Sequence, residues 1–123
     1  RREADDVRQW NVQHPQEKPR VSYLEETLNG VEGPFISASD YVMALGEQLT
    51  PWVPGRYRVL GTDGMGRSET REALRRHFGV DAESVTFAAL SELADDGVFE
   101  TKDLVKAQKS LGLDPEQPNA LYE

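Results

Sequence analysis

RYRVLGTDGMGRSETREALRRHFG, residues 56–79, decides how the chain folds. The run RYRVL at 56–60 suits a short buried strand. Directly behind it, GTDGMGRS at 61–68 carries three glycines, which let the backbone turn tightly and present N–H groups. ETREALRRHF then places Ala73, Leu74 and Phe78 on one side of a helix with arginines elsewhere, and Gly79 supplies a left-handed cap. Strand, tight loop and helix in this order indicate an α/β protein.

Working upstream, FISAS at 35–39 is a second strand candidate, announced by Gly33-Pro34. Between the strands, YVMALGEQLTPWV puts Tyr41, Ala44, Leu45, Gln48 and Leu49 at helical spacing, with Asp40 as the expected N-cap and Pro51 as the stop. Two strands joined by a helix form a right-handed parallel pair. Parallel sheets are normally buried on both faces and hold more than two strands, so the first strands of this one are expected upstream of Arg1 or in another chain. The absence of an initial methionine agrees with a chain that is a fragment of a larger one.

At the N-terminal side, EADDVRQWNVQH predicts a helix ending near His14, before Pro15 and Pro19. Ser22 and Glu25 have capping-box spacing and open a short helix over 22–28. Downstream, Asp81 starts a helix through VTFAALSELADD, another spans 101–111, and residues 113–123, with two prolines, form an extended tail.

The length of 123 residues fits one domain, and 37% hydrophobic against 29% charged residues fits a globular one. Net charge is −8, from 22 acidic and 14 basic residues, which repels phosphate backbones and excludes nucleic acid as an expected partner. No apolar run approaches the roughly 20 residues that cross a bilayer, so no membrane partner is expected. Zero cysteines exclude disulfides and zinc–thiolate sites and fit a reducing cytoplasm; two isolated histidines leave little for a metal.

Thr62, Asp63, Gly64, Met65, Gly66, Arg67 and Ser68 form the candidate loop for contact with another subunit or the approach to an active site. The spacing Gly61, four residues, Gly66, Arg67-Ser68 imitates a phosphate-binding loop, but arginine stands where that motif needs lysine, and Asp63 would repel phosphate. Arg71, Arg75, Arg76 and His77 form a candidate anion patch, although cations also suit the C-terminal end of a helix for its dipole alone. With the 61–68 loop, this patch sustains an alternative reading as an anion- or nucleotide-binding regulatory module. Glu92, Asp95 and Asp96 read as a solvated helix end, Trp10 and Trp52 as packing anchors, His14 as surface, and Ser68, with no base beside it, as a helix cap. No catalytic, cofactor-binding or metal-binding residue is assigned.

VLGTDGMGRSETREALRRHFGVDAESVTFAAL at 59–90, WNVQHPQEKPRVSYLEETL at 10–28, Tyr41-Val42-Met43 and Pro51-Trp52-Val53-Pro54 together resemble the homodimeric type of pyruvate dehydrogenase, the decarboxylating first component of its complex. Gly66, Ser68, Leu74, Phe78-Gly79, Val85 and Ala89 are similar to the C-terminal domain of transketolases. Met65 stands where that family commonly has phenylalanine, and methionine fills a pocket of similar size. The resemblance implies that residues 1–123 are a transketolase-like C-terminal domain, a three-layer α/β unit with a mostly parallel sheet. It implies a parent enzyme that uses thiamine diphosphate and magnesium to decarboxylate pyruvate and reductively acetylates the lipoyl groups of a dihydrolipoyl acetyltransferase core. The implied partners are the rest of the parent chain, a second copy in a homodimer, and that core. Thr62-Asp63-Gly64 lacks the asparagines that complete the family's diphosphate and metal motif, so the fragment is expected to bind no cofactor and to be inactive alone.

Overall fold

A computed structural model describes residues Arg1–Glu123. The elements are α1 (Arg2–Gln13), α2 (Tyr23–Leu28), β1 (Phe35–Ala38), α3 (Met43–Glu47), a 3₁₀ turn (Thr50–Trp52), β2 (Tyr57–Leu60), α4 (Arg71–Phe78), α5 (Ala82–Asp95), α6 (Thr101–Ser110) and a second 3₁₀ turn (Ala120–Tyr122).

β1 and β2 pair in parallel, with Phe35 opposite Tyr57 and Ala38 opposite Leu60, and α3 makes the crossover between them. Alternation along the strands assigns the two faces. Ser37 and Val59 point toward α3, where a side chain on Gly46 would meet Val59 Cγ1 at 2.7 Å. On this face the Tyr57 hydroxyl donates to the Gly46 carbonyl at 3.1 Å and lies 3.0 Å from Ser37 Oγ. Arg58 and Leu60 point the other way and line a cleft with Phe87, Ala88 and Ser91 of α5. The result is helix, sheet, helix: the three-layer α/β arrangement that the family resemblance implies, built here around two strands.

The helix signals act largely where the sequence places them. Ser22 and Glu25 make the reciprocal capping box of α2. Asp81 Oδ1 accepts from Ser84 N at 2.9 Å to open α5, and Gly79, at φ 67°, closes α4. α1 is fixed to α2 by the Glu3 carboxylate, which accepts from Tyr23 N at 3.1 Å, while Ala4 and Trp52 are buried beneath them. Asn11 exchanges two hydrogen bonds with the Arg20 backbone, at 2.9 and 2.8 Å.

Four expectations need correction. Asp40 does not cap α3: the N-cap residue is Val42, and the acceptor for Met43 N is the Asp63 carboxylate, 20 residues downstream, at 3.0 Å. α3 also ends at Glu47, because the Pro51 ring would collide with the Glu47 carbonyl if the α-helix continued, and the chain tightens into a 3₁₀ turn. The cap of α4 is Thr70, whose Oγ1 accepts from Ala73 N at 3.2 Å, and not Ser68, which lies two residues too early to reach an unpaired amide of the first turn. The segment 113–123, expected to be extended, instead turns at Asp114–Gln117, ends in a 3₁₀ turn and lies against the glycine loop.

Only four residues are buried: Ala4, Ser22, Trp52 and Gly61. α5 is apolar around most of its circumference, yet none of its residues is buried, although a helix of this kind belongs inside a core. The accessible surface is 8929 Å². A folded monomer of this mass has about 6,600 Å² by the usual size scaling.

Candidate functional site

The glycine loop leaves β2 at Gly61, which is buried against the β1–α3 connection. A Cβ there would lie 2.6 Å from the Tyr41 carbonyl oxygen and 2.8 Å from Met43 N, so the backbones meet only because this residue is glycine. Thr62 N donates to Tyr41 O at 2.9 Å, and Thr62 Oγ1 donates to Asp40 O at 2.6 Å. With the Asp63 bond to Met43 N, these contacts lock the first half of the loop onto residues 40–43.

Beyond Asp63 the loop changes character. No backbone N–H or C=O from Gly64 to Glu69 makes a hydrogen bond within the protein. Gly64, at φ 116°, lies against Ala120 and Leu121, and Met65 projects into solvent with 73% of its surface exposed. Arg67 pairs with Glu123 at 3.2 Å. Thr62, Gly64, Gly66 and Arg67 share an open groove of about 500 Å³ with Arg71 and Arg75, so the structure brings the loop and part of the basic cluster together.

The basic cluster is largely neutralised. Arg75 faces Asp40 at 3.6 Å, Arg76 faces Asp81 at 2.7 Å and Glu83 at 3.5 Å, and His77 Nδ1 lies 3.6 Å from Glu123. Arg71 makes no ion pair. Such pairing leaves a weaker attraction for an added anion than four nearby basic residues suggest.

Glu92 and Asp95 do not form an isolated carboxylate pair. Arg56, immediately before β2, reaches them at 2.7 and 3.0 Å and Asp96 at 3.5 Å. The Arg56 pKa is raised above the ordinary arginine value, first by its hydrogen bond to Glu92, against a smaller lowering by desolvation, and further by the charges of Glu92, Asp96 and Asp95. The arrangement fastens α5 to the sheet.

No three His, Cys, Asp or Glu side chains are arranged to hold a metal ion, and no helix is long and apolar enough to cross a membrane. Asp63, the one carboxylate in the loop, accepts from Met43 N at 3.0 Å through Oδ1. Sequence reasoning missed the contributions of Gln117, Glu123 and Arg56, whose partners lie 36 to 56 residues away and leave no local signal.

The family model described as the transketolase-like C-terminal domain matches residues 7–81. The chain is 49% identical over 120 residues to the pyruvate dehydrogenase E1 component of Cupriavidus necator, covering 98% of this chain and 13% of that protein. It is 48% identical over 122 residues to the Pseudomonas aeruginosa protein of the same name, with 98% and 14% covered. Against the Escherichia coli K12 protein of that name, identity is 43% over 119 residues, with 96% and 13% covered. The chain thus spans about an eighth of the length of these relatives.

Proposed function

The chain belongs to the transketolase-like C-terminal domain family, and from that premise we propose that it is the supporting C-terminal domain of a pyruvate dehydrogenase first component. The observation that carries this reading is 49% identity to such a component along 98% of the chain. In this reading the loop 61–68 and the α4 cluster serve contact and support, and not bond making. The work assigned to the domain is therefore mechanical: it packs against the catalytic remainder of its polypeptide and helps hold two subunits together.

In this reading residues 1–123 act as one transketolase-like unit, with 113–123 packed along its side. Thiamine diphosphate and magnesium are held elsewhere in the parent enzyme, which works in the cytoplasm and passes acetyl groups to a dihydrolipoyl acetyltransferase. Thr62, Asp63, Gly64, Met65, Gly66, Arg67 and Ser68 form the contact loop, supported by the exposed Met65 and by the rigid anchoring of the loop base to residues 40–43. Small displacements of catalytic groups carry large rate costs, so a domain without a reactive side chain can still govern turnover. The anion-module reading receives less support, since Arg75, Arg76 and His77 already face carboxylates.

The test is thiamine-diphosphate-dependent release of carbon dioxide by the intact polypeptide, offered pyruvate, 2-oxoglutarate and a branched-chain 2-oxo acid. Turnover centred on pyruvate supports the assignment. Preference for another 2-oxo acid, or turnover of none, sinks it.

A further inference from the structure

The second half of the glycine loop has no backbone hydrogen bond of its own, yet it is held on one side by a segment some 50 residues later. Gln117 Nε2 donates to the carbonyls of Arg76 at 3.2 Å and His77 at 3.1 Å; Arg76 O also accepts from Gly79 N, whereas Gln117 is the partner of the His77 acceptor at the end of α4. Asn119 Oδ1 accepts from Leu121 N at 2.9 Å and sets the 3₁₀ turn that brings Ala120 against Gly64. Glu123 then reaches both Arg67 of the loop, at 3.2 Å, and His77 of α4, at 3.6 Å. One segment therefore grips two elements that make no backbone hydrogen bond to each other.

We infer that Gln117–Glu123 is a strap: it clamps the Gly64–Ser68 half of the loop to the C-terminal end of α4, with the Glu123 carboxylate seated between Arg67 and His77. Gly64 is part of the device, because only a residue without a side chain lets the Ala120 backbone approach so closely. With the strap released, the loop is anchored at Gly61–Asp63 alone. The inference rests on these contacts and not on the enzyme assignment.

The test is limited trypsin digestion of the intact polypeptide, with cleavage after Arg67 scored by mass spectrometry against cleavage after Arg58, which lies within β2 and reports opening of the sheet. Glu123→Gln removes an exposed ion pair and is expected to raise the Arg67-to-Arg58 ratio roughly two- to fivefold. The double variant Gln117→Ala/Glu123→Gln raises it further, while Glu116→Gln, whose side chain makes no hydrogen bond or ion pair, leaves it at the wild-type value. Equal ratios in the wild type and both strap variants overturn the inference.

Discussion

Gly61 and Asp63 lie two residues apart at the start of the glycine loop, and their roles separate packing from polar pairing. Gly61→Ala would drive a methyl group into the backbone of Tyr41 and Met43, atoms that cannot swing away as a side chain can. A loss of about 1–3 kcal/mol is expected, read as a lower denaturation midpoint of the intact polypeptide. Asp63 supplies a long-range cap to α3, so Asp63→Ala should cost about 1 kcal/mol, while Asp63→Asn, which retains the acceptor oxygen, should cost only a few tenths. Equal losses for the two would show that negative charge, and not the bond to Met43 N, is what matters there. The sequence alone identifies Asp63 as a loop residue and as an obstacle to phosphate binding. Its structural task is invisible there because the amide it serves is 20 residues earlier.

At the scale of elements, the legible features are those whose physics is local. Ser22 with Glu25, Asp81 and Gly79 all act within four residues of their partners, and the strands at 35–38 and 57–60 follow from short apolar runs bounded by Gly and Pro. Ser68 and Thr70 are chemically similar caps separated by two residues, and only the amide that each can reach distinguishes them. Thr70→Ala is accordingly expected to destabilise by about 1 kcal/mol, and Ser68→Ala by less than about 0.5 kcal/mol, in matched urea titrations. The reverse order would return the cap to Ser68. Arg56 with Glu92, Asp95 and Asp96 belongs to this scale as well, since it ties α5 to the start of β2. Salt screens exposed pairs of this kind. The melting midpoint should fall from low to high salt in the wild type, and Arg56→Gln should flatten that dependence. What the sequence does not disclose is the strap: proline-containing segments with little apolar content read as loose ends, and the partners of Gln117 and Glu123 are contributed by α4 and the glycine loop.

At the scale of the whole molecule, the unequal distribution of burial is informative. The surface exceeds that of a typical monomer of this mass by about 2,300 Å², against the roughly 800 Å² that one partner buries in a standard interface. Large apolar side chains stand exposed along much of the chain, among them Val12, Tyr23, Tyr41, Leu45, Val98 and Tyr122. The parallel pairing was legible from strand–helix–strand succession and the sparse sheet from counting strands, whereas the three-layer order came from the family resemblance. The isolated chain is therefore expected to self-associate, giving a light-scattering mass that rises with concentration, despite a net charge of −8 that opposes aggregation. A constant monomer mass across the same range would mean that the exposed layers are stable in water. A domain that supports an active centre located elsewhere in its polypeptide is best probed by thiamine-diphosphate-dependent pyruvate decarboxylation. The assay compares the intact polypeptide with the isolated chain at equal molar concentration. Turnover by the intact polypeptide and none by residues 1–123 alone is expected; turnover by the isolated chain, or its absence from the intact polypeptide, would refute the supporting role.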